Sequence, residues 1–234
     1  MKISIYSDGA NLDQIIKLAK SPKIKGITTN PSLMRKSGVT DYLHFCRTVC
    51  LEVKNKPISF EVVADEQEEM YRQALILGEL GDQVYVKIPH INTRGESMKD
   101  LIKKLVDQSL KLNITAVTTL KQVEKFIDSL PRNNQSIISL FSGRIADTGI
   151  DPKPVAKSIL ELMKDKELSK CELLWASTRE VFNIYEAEQV GCHIITATAD
   201  IIKKLDLKDK DLDDFSRETV KMFYNDALSS GFEF

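Results

Sequence analysis

Apolar residues follow two alternating patterns along this chain. Short runs rich in isoleucine and valine occur at residues 3–8, 26–30, 58–62, 84–89, 113–117, 136–141, 173–177 and 193–198. Between them lie longer stretches in which apolar residues return every three or four positions, at 12–20, 41–53, 65–80, 97–110, 121–130, 154–165, 180–190 and 200–205. The compact runs read as buried strands and the periodic stretches as amphipathic helices. Pro31 stands at a helix-start position just after the second run, which closes on Asn30. Residues 142–152 read as a polar, glycine-containing loop.

Eight strand-helix units at regular spacing predict an α/β fold, a (β/α)8 TIM barrel, with a doubly wound open sheet as the second reading. No stretch rich in Pro, Gly or Ser divides the chain, so residues 1–234 are read as one domain. The charged run 206–214 reads as a solvated turn into one further amphipathic helix, at about 211–228, carrying Phe215, Val220, Phe223 and Leu228. A closed barrel already covers its own helices. The surplus apolar surface of this helix and of the tail from Phe232 to Phe234 therefore predicts a homo-oligomer.

Composition narrows the partners. Lys plus Arg number 33 against 34 Asp plus Glu, a net charge of -1 with no basic cluster, which argues against nucleic acid or an anionic membrane as a partner. With 42% hydrophobic residues, no apolar run of membrane-spanning length and no signal-peptide core ahead of the first strand, the expected setting is the cytoplasm. Cys46, Cys50, Cys171 and Cys192 sit in periodic segments without metal-type pairing to His44, His90 or His193, so they read as core thiols and no metal site is expected.

One residue breaks the apolar logic. Lys87 stands inside the run Val-Tyr-Val-Lys-Ile-Pro, where burial disfavours the charged amine. A neutral amine condenses with a ketone or aldehyde to a Schiff base, which withdraws electrons from the adjacent carbon-carbon bond. A structural lysine paired with a carboxylate inside the barrel fits this stretch equally well. In a barrel, polar residues at the carboxyl ends of the strands converge on one site. Here those residues are Asp8, Asn30, Glu61, Lys87, Asn113, Thr115, Ser139, Arg144, Ser177 and Arg179. Each alone is an ordinary cap or turn residue; together they support a Schiff-base site.

Several motifs carry a resemblance to the transaldolase family, of the short-chain type that includes fructose-6-phosphate aldolases. They are Gly-Ile-Thr-Thr-Asn-Pro-Ser from Gly26, Val-Lys-Ile-Pro at 86–89 and Asn-Ile-Thr at 113–115, then Ser-Leu-Phe-Ser-Gly-Arg from Ser139 and Ala-Ser-Thr-Arg from Ala176, with the stretch 187–205 similar to the family's ending. The resemblance covers nearly the whole chain. It implies a pentose phosphate-type transfer of dihydroxyacetone units between sugar phosphates, with Lys87 forming the Schiff base, Asp8 moving the proton and Glu61 positioning a water. It further implies that Asn30, Asn113, Thr115 and Ser139 hold the substrate, that Arg144, Ser177 and Arg179 bind its phosphate, and that no cofactor is used. Short-chain relatives commonly form rings of five or pairs of rings, so a pentamer or decamer is implied, with a dimer as the smaller alternative.

Two branches remain to be separated. Glu61, where the aldolase branch tends to have glutamine, and Phe141, where it uses a tyrosine, favour transfer over release of free dihydroxyacetone. His90 and Arg94 replace a smaller turn of many relatives and bear on acceptor preference, and the eighth run lacks the proline that relatives carry before Asp200. A non-catalytic sugar-phosphate binder is the alternative from another class, and it would have no use for a buried lysine.

Overall fold

The computed structural model describes residues 1–232. Eight parallel strands close in sequence order into a barrel: β1 Ser4–Asp8, β2 Ile24–Thr28, β3 Ile58–Glu61, β4 Val84–Pro89, β5 Leu112–Val117, β6 Ser136–Leu140, β7 Cys171–Trp175 and β8 Ile194–Ala197. Pairing of β1 with β8 closes the ring, so the open-sheet alternative does not apply. The helices are α1 Leu12–Ala19, α2 Pro31–Lys36, α3 Tyr42–Glu52, α4 Gln67–Gly78, α5 Lys99–Asp107, α6 Leu120–Phe126, α7 Ser142–Ala146, α8 Lys153–Asp165, α9 Phe182–Val190 and α10 Ala199–Lys203. No helix among the described residues is long and apolar enough to cross a membrane.

Alternation along the strands builds the barrel interior in layers. Tyr6, Tyr85, Ile137, Leu174, Ala176 and Ile194 pack together as a buried floor. Two residues further along their strands stand Asp8, Lys87, Ser139 and Thr196. The floor needs a gap opposite Tyr6, and Gly26 supplies it: a Cβ there would lie 2.4 Å from the tyrosine ring.

Two local expectations are corrected. β2 ends at Thr28, and Asn30 lies beyond it as the cap of α2, its side chain accepting from the Leu33 amide at 2.9 Å with Pro31 next in line. Pro31 has no N–H to leave unpaired, so strand exit and helix entry fit within two residues. The stretch 142–152 is also not all loop: α7 occupies its first five residues, directly after Phe141, which packs against the floor cluster.

The chain divides into two compact units, Met1–Ile202 and the segment from Lys203 onward. The second unit holds α11, Leu212–Ser230, started by Asp211, whose side chain accepts from the amides of Asp213 and Asp214, and ended by Gly231 in the left-handed region. Its Leu212, Val220, Phe223, Tyr224 and Leu228 are exposed, as is Phe232; Phe234 lies outside the described residues.

Candidate active site

The strand register sets the centre of the site. Glu61, the last residue of β3, is paired in register with Lys87, which in turn faces Asn113 on β5. Lys87 is buried, 6% exposed, and its Nζ lies 2.9 Å from Glu61 Oε2 while donating to the Thr29 carbonyl at 2.9 Å. A buried amine inside the barrel thus has the carboxylate partner that burial demands. The backbone beneath that partner is also held, because the Tyr42 hydroxyl on α3 donates to the Glu61 carbonyl at 2.6 Å.

Asp8 ends β1 and receives the Thr28 hydroxyl at 2.8 Å and the Asn30 side-chain amide at 3.5 Å. Thr28 is further joined to Thr196 on β8 by a hydroxyl-hydroxyl hydrogen bond, so the carboxylate sits at the end of a short chain of hydroxyls. Burial pushes the Asp8 carboxyl above its ordinary value of 3.8, against the opposing Lys87 charge and the Thr28 bond, with Glu61 adding to the rise.

On β5 and β6 the polar groups are layered. Ser139 donates to Asn113 Oδ1 at 2.6 Å, and Asn113 donates to Ser59 Oγ at 3.1 Å, both within the buried interior. Thr115 differs: its hydroxyl is fully buried with no partner in the described structure, a cost that a bound water or ligand would remove. Just past it Ala116 takes a φ of 63°, and the β5–β6 register shifts between Ile114 and Val117. That bend ends the regular ladder beside the site.

A cavity of about 460 Å³ opens above these residues, lined by Asp8, Asn30, Glu61, Lys87, Thr115 and Ser139, with Arg144, Ser177 and Arg179 also in its wall. Nine of the ten residues expected from sequence therefore meet in one space. Asn113 does not line it; it stands behind Ser139 and Ser59 and fixes their hydroxyls. His90 and Arg94 do not line it either: His90 is buried, and Arg94 pairs with Asp65, Glu66 and Glu96.

The cationic side of the cavity is built on α7 and the loop after β7. Arg144 lies over the Phe141 ring at 5.8 Å. Arg179 forms two hydrogen bonds to Asp147, at 2.9 and 2.6 Å, and holds that carboxyl below its ordinary range. Ser177 adopts a φ of 60°, and its carbonyl closes so tightly on Gly143 that a Cβ there would come within 1.6 Å. Sequence reasoning missed Thr28, Thr196, Ser59, Tyr42 and Asp147. Period-two counting could have found the first three, since they share the inward face with Asp8, Glu61 and Lys87; the other two carry no pattern signal. Among the described residues no group of three or more His, Cys, Asp or Glu could hold a metal ion, and the four cysteines are buried and free.

Residues 5–232 match the family model for transaldolase/fructose-6-phosphate aldolase. A relative named "Probable transaldolase" from Brucella ovis is 30% identical over 222 residues, 94% of this chain and 97% of the relative. Another of the same name from Sphingopyxis alaskensis is 32% identical over 203 residues, 87% and 89% of the two chains. Among solved structures, a thiamine phosphate pyrophosphorylase from Pyrococcus furiosus superposes with a TM-score of 0.56 over 85% of this chain and 86% of that one, at 11% identity, a likeness of fold alone.

The raised Asp8 value has a thermodynamic sign. Below the ordinary carboxylate value the folded and unfolded chains both hold the proton and Asp8 contributes nothing; as pH rises through the raised folded value, ionisation weighs against the native state. Asp8→Asn removes that burden. It should melt at a higher temperature than the wild type at about pH 7 and converge with it near pH 3. A variant that melts lower at neutral pH would show that the ionised carboxylate is stabilising instead.

Proposed function

The chain belongs to the transaldolase/fructose-6-phosphate aldolase family, and we propose that it is a Schiff-base transaldolase moving a dihydroxyacetone unit from a ketose phosphate to an aldose phosphate. Fructose 6-phosphate and sedoheptulose 7-phosphate are the donors of this reading. The observation that carries it is the buried Lys87 amine, 2.9 Å from Glu61 and in the same cavity as Asp8, whose carboxyl burial pushes above its ordinary value.

The chemistry follows from those positions. Lys87 attacks the ketone once it has passed a proton on, and Glu61 is the adjacent acceptor. The carbinolamine loses water to give the protonated imine, with a water held by Glu61 carrying protons in that step. Asp8 then takes the hydroxyl proton from the carbon whose bond breaks, leaving a three-carbon enamine on Lys87 and releasing the aldose phosphate. An incoming aldose phosphate is attacked by the enamine, Asp8 returns the proton, and hydrolysis frees the new ketose.

In this reading Asn30 and Ser139, both in the cavity wall, hold substrate hydroxyls, with Asn113 orienting Ser139 by a hydrogen bond. Arg144, Arg179 and Ser177 supply a phosphate subsite, since guanidinium forks match phosphate in shape and charge. Phe141 cannot exchange protons, which leaves acid-base work to Asp8 and the Glu61 water and supports transfer over release. The exposed apolar residues of α11 support self-association through that helix.

Incubation with fructose 6-phosphate followed by borohydride should add a stable mass at Lys87, and Lys87→Arg should abolish both the adduct and turnover while keeping the fold, because arginine retains its charge. A wild type that gains no mass is a binder. In a coupled assay, consumption of fructose 6-phosphate should depend on erythrose 4-phosphate; equal rates without it would assign the protein to the aldolase branch. Arg144→Ala should raise KM for phosphorylated substrates by about one to two orders of magnitude and leave that for dihydroxyacetone little changed; equal losses on both would refute the phosphate role. Light scattering should report an oligomer that Phe223→Asp weakens, and a monomeric wild type would dismiss self-association.

A further inference from the structure

Asp8 and Glu61 are the two carboxylates that line the cavity, and they are answered differently. Glu61 meets the Lys87 amine at 2.9 Å, charge against charge. Asp8 is hydrogen-bonded by neutral groups, and its two oxygens are held unequally. Oδ1 accepts the Thr28 hydroxyl at 2.8 Å, whereas Oδ2 has the Asn30 amide at 3.5 Å, beyond the usual length of such a bond.

The direction of the chain behind Oδ1 follows from a count of hydrogens. An ionised carboxylate only accepts, and a hydroxyl has one hydrogen to give. Thr28 spends its hydrogen on Asp8, so the bond between Thr28 and Thr196 is made with the hydrogen of Thr196. Thr196 on β8 thus donates to Thr28 on β2, and Thr28 to Asp8 on β1. Both threonines are buried, 5% and 3% exposed, where hydrogen bonds in series polarise and strengthen one another. The strands fix the spacing: Thr28 stands in register with Asp8 and Thr196 with Tyr6, and the Thr196 carbonyl accepts the Thr178 hydroxyl at 2.7 Å. The other charged groups around the cavity are Glu61, Lys87, Lys36, Arg144 and Arg179. Lys87 and Glu61 act on Asp8 in opposite senses, while the Thr196 hydroxyl is bonded to none of the five.

We propose that Thr196 is a positioning residue for Asp8: its hydroxyl, acting through Thr28, holds Oδ1 of the ionised carboxylate and leaves Oδ2 as the atom that takes the substrate proton. This rests on the Schiff-base reading above. At cleavage the proton of the substrate hydroxyl passes to Oδ2, the hydroxyl oxygen becomes the aldehyde oxygen, and the electron pair of the broken carbon-carbon bond moves into the enamine on Lys87. Oδ1 keeps its bond from Thr28 throughout, so the chain of hydroxyls runs in one direction whether Asp8 is charged or neutral. Without the Thr196 donor the Thr28 bond weakens, the charged form loses support, and Asp8 keeps its proton to higher pH.

Thr196→Val removes the hydroxyl and keeps the shape of the side chain. kcat and KM for fructose 6-phosphate with erythrose 4-phosphate are measured in stopped samples along the acid limb of the pH profile. The limb should move to higher pH by about half to one unit, so that turnover well below it falls by about three- to tenfold while KM and the plateau rate change little. Thr196→Ala should move the limb in the same way, and Thr196→Ser, which retains the donor, should keep it near the wild-type position. The borohydride-trapped adduct on Lys87 should form in all three. An unmoved limb in the folded valine and alanine variants, a limb moved as far by serine, or a raised KM in place of a moved limb would overturn the assignment. If the wild type traps no adduct, the Schiff-base reading itself fails, a result distinct from an adduct that forms while the limb stays in place.

Discussion

An ammonium placed inside a closed barrel must be answered by a carboxylate, and the Lys87–Glu61 pair is that answer. Removing one member of a buried pair costs roughly 3–5 kcal/mol, a large share of the 5–15 kcal/mol by which domains are stable. Neither residue is therefore free to vary alone. The requirement spreads outward. Parallel register sets Glu61 beside Lys87, the Tyr42 hydroxyl holds the end of β3, and the Thr29 carbonyl takes a further hydrogen of the amine.

Around this pair the interior divides into an apolar floor and a polar layer above it. The floor aromatics Tyr6 and Tyr85 are buried two residues before Asp8 and Lys87 on their strands, and Gly26 in β2 leaves room for the Tyr6 ring, which a Cβ there would meet at 2.4 Å. In the polar layer each group is given a partner through a neighbouring strand: Asp8 through Thr28 and Thr196, and Ser139 through Asn113 and Ser59. By contrast the buried hydroxyl of Thr115, which lines the cavity, has no partner among the described residues, and neither do the Ser136 hydroxyl and the Trp175 indole nitrogen elsewhere in the barrel wall. Groups held by such cross-strand bonds are fixed in place before any guest enters the cavity.

The barrel was legible because its signals are local and repeated: compact runs, helical periods and their even spacing specify strand and helix one unit at a time. The strand-end residues were legible for the same reason, since a polar side chain at the close of an apolar run is conspicuous. Asn113 shows the limit. Its position predicted a cavity residue, yet one layer of depth places it behind Ser139, and depth depends on strand stagger that no single run reveals. Asp147 was hidden more completely, for its pairing with Arg179 joins two loops that are distant in sequence. The short helix α7 escaped because five residues are too few to show a period.

Gly143 and Ser177 give the mouth of the cavity a further property. The left-handed backbone at Ser177 turns its carbonyl onto the one residue of α7 that has no side chain, and Gly143 donates its amide to Ala176 in return. The two segments are keyed together, residue against residue, where the cavity meets Arg144 and Arg179. Position 143 thus cannot change alone: any side chain there would drive the Ser177 carbonyl outward and shift the wall that carries Arg144 and Arg179.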